Sequence, residues 1–243
     1  MSIEGLGKVN SYRTLQSLVY ENMRDAILSG RLAPGQRVVA AKIAEEMGVS
    51  RMPVRESLRR LETEGLITTV PHKEAVVRRL SAKEMEDIYS VRLVLEGYGG
   101  RLAARRITAK EIAKLEELTN QAEELLAQGD YWGVQEANER FHKLFFEASG
   151  SEVLCELLRN LWSRCYAYRH LSAAMGKRER IAIEEHREII RALVDKDGDR
   201  VERLVWEHTE KAVEPLLRRL KIEEQREEGY RAQEEGVDHP GHP

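Results

Sequence analysis

The sequence has few cysteines, prolines and phenylalanines and no long apolar run. It contains two cysteines, six prolines and three phenylalanines in 243 residues, and the scarcity of proline and phenylalanine favours helix. Cys155 and Cys165 are predicted on one helix, about 15 Å apart at ~1.5 Å rise per residue, which is too far for a disulfide. No apolar run approaches the roughly 18 residues of a membrane span, and the first ten residues lack the apolar segment of a secretory signal. These absences predict a reduced, cytoplasmic protein with no membrane association.

The composition is that of a globular, mainly α protein with an uneven charge distribution. Hydrophobic residues make up 42% of the chain and charged residues 33%, with a formal net charge of −3. Residues 1–80 hold 13 Lys and Arg against 9 Asp and Glu, whereas the remainder is acidic. This division predicts a polyanionic partner for the N-terminal third alone.

The N-terminal third has the periodicity of three helices followed by two strands. An apolar stripe through "SYRTLQSLVYENMRDAILSG" predicts the first helix, with Gly30 after its end. "RLAPGQRV" is predicted to be a turn, "AAKIAEEMG" a short second helix and "SRMPVRESLRRLETEG" a third helix. The β-branched segment "LITTVPHKEAVVRRL", broken at Pro71, predicts two strands around a tight hairpin. This order of elements is that of a winged helix-turn-helix.

The third helix carries the candidate DNA-binding residues. Ser50 is a suitable N-cap, and a helix of this kind enters the major groove with its N-terminus first, which brings Arg51 and Arg55 to the bases. These two arginines are four residues apart, hence on one face, and their planar guanidinium groups suit guanine or phosphate. Arg59 and Arg60 lie further along the helix, where they are predicted to contact phosphate or solvent. Lys73 lies at the hairpin tip, within reach of the DNA backbone or the minor groove. The alternative is an ordinary solvated basic face, but the surrounding winged-helix pattern favours binding to double-stranded operator DNA.

The same residues resemble a known family. "IAEEMGVSRMPVRESLRRLETEGLI" is similar to the signature of the GntR family of bacterial transcription regulators, and the resemblance covers roughly residues 12–79. It implies that Arg51 and Arg55 contact operator bases and phosphates. The sequence departs from the family pattern at Ala40, where many relatives carry glutamate, and at Glu74, which replaces a common wing glycine. The second change makes the wing less basic.

The remainder of the chain is predicted to be entirely helical. "SAKE" and "TAKE" are capping boxes that open two helices, and four more helical stretches are separated by turns that contain glycine. The predicted organisation is a flexible arm at 1–10, a winged helix-turn-helix at 11–79, an all-α antiparallel bundle of six to seven helices at 80–222 and a disordered polar tail at 223–243.

Three histidines in the helical part form a candidate metal site. Asn138 and His142 are four residues apart on one helical face, and His186 and His208 each lie on the apolar stripe of a later helix. A single histidine on an apolar face is usually a hydrogen-bonded core residue. Three imidazoles on three helices with one oxygen donor, however, suit zinc or another borderline divalent ion.

This part of the chain also resembles a known domain. A GntR-type winged helix followed by a helical domain of this size is similar to the FadR subfamily with its FCD domain. The resemblance implies that Asn138, His142, His186 and His208 bind the metal, although asparagine replaces the more frequent aspartate. It further implies a cavity above the metal for a small carboxylate effector. Arg92 is the candidate cation for that carboxylate; the alternative is an ion pair with Glu96 on a solvated face.

The resulting hypothesis is a homodimeric, ligand-responsive transcription regulator, predicted to be a repressor that senses a small organic acid through a metal. A metal-dependent enzyme with an appended DNA-binding module is the main alternative, because zinc held by three histidines can activate water. No "HExxH" motif or nucleophile elbow supports it. A structural helical dimer module with unoccupied histidines is the third interpretation.

Overall fold

A computed structural model of the chain describes residues 14–69, 75–172 and 177–236. The chain divides into two compact units, Met1–Arg78 and Arg79–Pro243. The predicted arm at 1–10 and the predicted DNA contact Lys73 lie outside the described residues.

The first unit contains three helices and a small sheet among its described residues. The helices are α1 (Leu15–Leu28), α2 (Ala40–Glu46) and α3 (Arg51–Thr63), and the strands are β1 (Arg37–Val38), β2 (Ile67–Thr69) and β3 (Ala75–Val77). The sheet is antiparallel in the order β1-β3-β2, with Thr68 opposite Val76. The predicted winged helix-turn-helix is therefore confirmed.

Local sequence signals set the turns of this unit, and apolar burial holds its helices together. Gly48 has φ of +64°, a backbone conformation that glycine adopts without steric cost, and it lies in the turn between α2 and α3. Val19 and Ile27 of α1 and Val54 and Leu61 of α3 are almost completely buried. Their burial fixes α3 against α1 and leaves the opposite face of α3 in solvent.

The second unit is all-α in its described part. Its helices are α4 (Ala82–Arg106), α5 (Ala109–Ala127), α6 (Tyr131–Glu147), α7 (Glu152–Ser172), α8 (Lys177–Val194) and α9 (Gly198–Gly236). Both predicted capping boxes are present, with Ser81 and Glu84 at α4 and Thr108 and Glu111 at α5. The predicted mainly α fold, with a bundle of six helices, is confirmed.

The main core of this unit joins all six helices, α4 to α9. Phe141 and Phe145 of α6 pack with Ile189 and Leu193 of α8, and all four side chains are nearly inaccessible to solvent. Because the candidate metal ligands lie on α6, α8 and α9, which all contribute residues to this core, the core fixes the backbone from which the ligands project. No helix in the described part of the chain is long and apolar enough to cross a membrane.

Two elements differ from the sequence-based expectation. The segment predicted to be only a turn contains β1, in which Arg37 pairs with Val76. The last helix continues to Gly236, past residue 222 where the helical domain was expected to end, and Pro215 lies within it. Its end is rich in Glu, Gln and Arg, which favour helix even without an apolar face, and ion pairs such as Arg219–Glu223 at 2.9 Å line its surface. Residues 237–243 lie outside the described part.

Candidate nucleic-acid interface and metal centre

The N-terminus of α3 presents two exposed arginines that have no ion-pair partner among the described residues. Ser50 is the N-cap residue, in an extended conformation and without a capping hydrogen bond from its side chain. Arg51 and Arg55 are exposed, and no ion pair between described residues involves either of them. Met52, between them, is 74% exposed. This end of α3 therefore offers two free guanidinium groups and one apolar side chain, which suit guanine and the thymine methyl group respectively.

The two later arginines of α3 have carboxylate partners. Arg59 pairs with Glu56 at 3.2 Å, while Arg60 pairs with Glu64 at 3.4 Å and stacks on the ring of Tyr20 at 3.7 Å. Tyr20 donates a hydrogen bond to Glu64 at 2.6 Å, and burial together with this carboxylate raises the pKa of Tyr20 to about 12. Arg60 therefore stabilises the contact between α1 and α3, and Arg59 is left on the exposed face.

Three buried histidines from three helices converge in the second unit. His142 of α6, His186 of α8 and His208 of α9 each offer one ligand atom, and these atoms lie within 4.8 Å of one another. Their ring centroids are 4.9 to 5.2 Å apart. All three side chains are at most 4% exposed. The cluster is compatible with a metal site, because three imidazoles within this distance can share one ion after small adjustments.

Aromatic neighbours hold two of these rings in place. Phe141 stacks on His186 with 4.0 Å between ring centroids, and Trp162 contacts His142 edge-on at 4.9 Å. Phe141 immediately precedes His142 in α6 and belongs to the hydrophobic core. The cluster therefore has an apolar wall on this side, which strengthens electrostatic interactions inside it.

A carboxylate orients the third histidine. Glu185 Oε2 lies 2.7 Å from His208 Nδ1. Burial acts to raise the pKa of Glu185, but His208 and Arg178 lower it to about 2, so the group is an ionised carboxylate that only accepts. Burial lowers the pKa of His208, which keeps its imidazole neutral. Nδ1 must then carry the proton, and Nε2 keeps the lone pair that a metal ion needs.

Asn138 and two of the histidines face a small cavity. The cavity has a volume of about 170 Å³ and lies between α6, α8 and α9. Its polar lining includes Asn138, His186, His208, Arg178 and Glu179. The structure therefore brings the predicted oxygen donor to the same space as two of the predicted nitrogen donors.

Arg92 lies in a buried polar network rather than on this cavity. Its Nε donates to Glu96 Oε1 at 2.8 Å, and Glu96 also accepts from Trp162 at 2.7 Å and from Thr209 at 2.7 Å. Burial opposes ionisation of Glu96, yet Arg92 and the hydrogen-bond donors keep its pKa below the ordinary value. The ion pair considered as an alternative is thus present, but it is buried instead of solvated. One terminal nitrogen of Arg92, Nη1, has no hydrogen-bond partner among the described residues.

Sequence patterns did not identify three charged residues of this site. Glu185 precedes His186, and neighbouring residues on a helix point about 100° apart, so the sequence places Glu185 away from the face of His186. Its contact with His208 of α9 is therefore not predictable from helical periodicity. Arg178 and Glu179 lie in the first turn of α8, where a charged pair usually indicates solvent exposure. Glu179, Ile183 and His186 are four and three residues apart, a spacing that puts them on one face of α8. This spacing is the sequence feature that indicates the shared face, and all three residues are buried in the structure.

Comparison with known proteins supports the assignment of both units. Residues 15–77 match the family of bacterial regulatory proteins described as gntR, and residues 87–211 match the FCD domain. The Nta operon transcriptional regulator of Aminobacter aminovorans is 31% identical over 192 residues, which cover 78% of this chain and 89% of the relative. The HTH-type transcriptional repressor RspR of Escherichia coli K12 is 25% identical over 209 residues, or 86% of this chain and 92% of the relative.

A solved structure has a similar fold. The McbR/YncC structure from Escherichia coli superimposes with a TM-score of 0.76 at 25% sequence identity and covers 85% of this chain and 98% of its own. These relatives are transcriptional regulators and not enzymes. The chain belongs to the GntR family of bacterial transcription regulators, as a DNA-binding, ligand-responsive member with an FCD domain.

Proposed function

We propose that this regulator senses a small organic acid through a divalent metal centre in its FCD domain. The observation that carries the proposal is the buried cluster of His142, His186 and His208, whose ligand atoms lie within 4.8 Å of one another. Imidazole nitrogens that converge from three helices in a buried site are the arrangement that a divalent ion such as zinc binds.

The ligand set favours zinc. His142, His186 and His208 supply three nitrogens and Asn138 an oxygen, a combination that suits zinc or a similar borderline ion. The bound ion supplies positive charge that attracts a carboxylate. Glu185 holds the tautomer of His208 from outside the cluster, as carboxylates commonly do for histidine ligands.

Arg92 does not line the cavity described above, and its proposed role as the cation for the effector carboxylate rests on its contact with Trp162 beside the histidines. It stacks on Trp162, with 5.1 Å between the guanidinium carbon and the ring centroid, and Trp162 contacts His142. The unpartnered Nη1 of Arg92 leaves a donor for a carboxylate, while Glu96 holds the other side of the guanidinium group.

We infer that the first unit binds operator DNA through the N-terminus of α3. Arg51 and Arg55 contact bases, Ser50 and Arg59 contact the phosphate backbone, and Lys73 contacts DNA from the wing. Repression is the proposed outcome, in line with the repressor RspR among the relatives.

Homodimerisation is the proposed means of reading a two-fold operator. Val91, Val94 and Tyr98 form an exposed stripe on α4, here named the α4 stripe, at a spacing of three and four residues. Trp206 of α9 is also 41% exposed and lies beside Gly97. A second copy is the proposed occupant of this apolar surface, because a two-fold operator needs two winged helices.

Metal analysis combined with operator binding tests the proposal. We expect His186→Ala and His208→Ala to reduce bound zinc in the purified full chain and to abolish the response to a carboxylate effector, while basal operator binding remains. Arg51→Ala is the reciprocal control, which keeps the metal and weakens operator binding. Wild-type effector response in a protein stripped of metal would rule out the metal-dependent mechanism.

A further inference from the structure

The cavity beside the histidines is lined by a buried carboxylate, one oxygen of which has no partner among the residues that the structure describes. Glu179 lies in the first turn of α8, is 6% exposed and lines the cavity together with His186. Its Oε2 has no hydrogen-bond partner among the described residues. Buried polar atoms are almost always hydrogen-bonded, so an exception at a cavity wall indicates a missing partner.

Helix geometry places this carboxylate at one end of the cavity and the histidine cluster at the other. Glu179 and His186 are seven residues apart, which brings them to within about 20° on one face of α8. The rise per residue separates them by roughly 10 Å along the helix axis. Ile183, between them on the same face, gives the middle of the cavity an apolar wall.

The neighbouring arginine does not neutralise Glu179. Arg178 directs Nη2 to Glu185 at 2.8 Å and to the backbone oxygen of His208 at 3.2 Å. Burial raises the pKa of Glu179 above its ordinary value, and a hydrogen bond from its own backbone N–H and the charge of Arg178 oppose this shift only in part. The Glu179 carboxyl is therefore held in an unfavourable environment at the cavity wall, with one buried oxygen that has no partner among the described residues.

We propose that Glu179 is a specificity-determining residue that accepts a hydrogen bond from a donor group at the distal end of the effector. The inference rests on the proposed function and extends it: the effector is an elongated acid whose carboxylate lies at the histidine end. Its opposite end carries a hydroxyl or ammonium group about two helical turns away. An acid that ends in a methyl group leaves the Glu179 acceptor unsatisfied.

Calorimetric titration of the zinc-loaded full chain with three acids that share a six-carbon chain tests this assignment. The probes are hexanoate, 6-hydroxyhexanoate and 6-aminohexanoate. We expect the wild type to bind a donor-ended acid about tenfold or more tightly than hexanoate, because an unsatisfied buried acceptor opposes binding of the methyl-ended one. Glu179→Leu should remove that preference. Glu179→Gln separates the two donors, because glutamine still accepts from a hydroxyl group but has lost the charge that an ammonium group requires.

The thermal stability of the ligand-free protein provides a second readout. If Glu179 is kept for ligand recognition, then Glu179→Leu raises Tm by about 2–4 °C, because it removes a buried polar group that has no partner. Glu184→Leu is the matched control on the same helix, since the Glu184 side chain is 62% exposed. The control should leave the selectivity among the three probes unchanged.

The outcomes separate this inference from the proposed function. Equal affinity of the wild type for the three acids, or an unchanged preference in Glu179→Leu, overturns the role of Glu179 and leaves the metal-dependent sensor intact. A fall in Tm for both Glu179 variants shows a structural role and also overturns it. Binding of the donor-ended acids that persists after zinc removal, still dependent on Glu179, supports the inference and contradicts the metal-dependent mechanism.

Discussion

At the scale of single residues, the arginines of α3 fall into two groups with different partners. Arg51 and Arg55 are exposed and unpaired among the described residues, whereas Arg59 has Glu56 at 3.2 Å. We expect Arg51→Ala and Arg55→Ala each to weaken operator binding by about 1–3 kcal/mol and to relax specificity at one base pair, because a base-edge contact is lost. Titration of labelled operator at fixed salt measures the effect.

Arg59→Ala is the control within the same helix. A phosphate contact carries no sequence information, so this change should weaken binding to operator and to random DNA by the same factor. It should also reduce the salt dependence of binding by about one phosphate equivalent. Unchanged operator affinity in both Arg51→Ala and Arg55→Ala would contradict docking through the N-terminus of α3.

Glu185 is the residue whose chemistry at the histidine cluster is best defined. Its carboxylate accepts the Nδ1 proton of His208 at 2.7 Å and also lies near Arg178 and Lys211. We expect Glu185→Gln to lower zinc affinity by about tenfold or more, because a neutral amide holds the imidazole less firmly and makes it less basic. Competition with a chromophoric chelator measures the change.

Glu184→Gln is the matched control for this substitution. Glu184 adjoins Glu185 in sequence, but its partner is Arg187 at 2.6 Å and its side chain is mostly exposed. Zinc affinity should remain at the wild-type value in this variant. Equal zinc affinity in both variants would show that Glu185 does not act on the metal through His208.

At the scale of helices, the packing of α4 against α9 depends on glycines with different surroundings. A Cβ atom at Gly100 would lie 3.0 Å from Val201 and 3.2 Å from Phe145 and Val205, all of which are buried core side chains. At Gly97 the nearest atom would be Glu202 Cγ at 3.2 Å, part of a flexible side chain.

These surroundings predict opposite effects of alanine. Gly100→Ala should lower the free energy of unfolding by about 1–2 kcal/mol, because the core side chains have no room to move and overpacking outweighs the gain in helix propensity. Gly97→Ala should be neutral or stabilising by up to about 1 kcal/mol, because Glu202 moves aside and alanine favours helix. Urea denaturation of both variants measures the difference, and similar stability would show that α9 shifts to accommodate Gly100→Ala.

Helix starts were predictable from sequence because each depends on a few neighbouring residues. Ser81 with Glu84 and Thr108 with Glu111 form capping boxes that need no tertiary contact. Strand β1 was not predictable, since a two-residue strand exists only through its pairing with β3. The continuation of α9 to Gly236 was missed because polarity was taken to indicate disorder, while its Glu and Arg residues favour helix.

The site also contains some residues that the sequence could predict and others that it could not. His142, His186 and His208 were recognisable because each lies on the buried stripe of its own helix, and stripes from separate helices meet in a bundle. The contact between Glu185 and His208 joins α8 to α9 through the orientation of two side chains, which helical periodicity does not specify. For Arg92, sequence spacing gave the partner Glu96 correctly but not its burial, which depends on Trp162 and Thr209.

At the scale of the whole molecule, regulation requires that the effector distinguish two arrangements of the protein. An effector with equal affinity for both arrangements shifts neither, however tightly it binds. The proposed ion would connect α6, α8 and α9 of the FCD domain through His142, His186 and His208, so a bound acid would select among the arrangements of these helices. The coupling is reciprocal, and operator DNA must therefore change effector affinity by the same factor.

Dimerisation is a property of the whole molecule, and a substitution in the α4 stripe tests it directly. Val94 is 66% exposed at its centre, and Val153 of α7 is 70% exposed outside it. We expect Val94→Glu to yield a monomer in sedimentation at micromolar concentration, because a buried unpaired charge opposes association. It should weaken binding to a two-fold operator by roughly tenfold or more, since the two half-sites then bind independently.

Val153→Glu should remain dimeric with wild-type operator affinity, and both variants should unfold within about 0.5 kcal/mol of wild type because both positions are on the surface. A dimeric Val94→Glu protein, or a monomeric wild type that binds the operator with full affinity, would show that the α4 stripe does not join two copies.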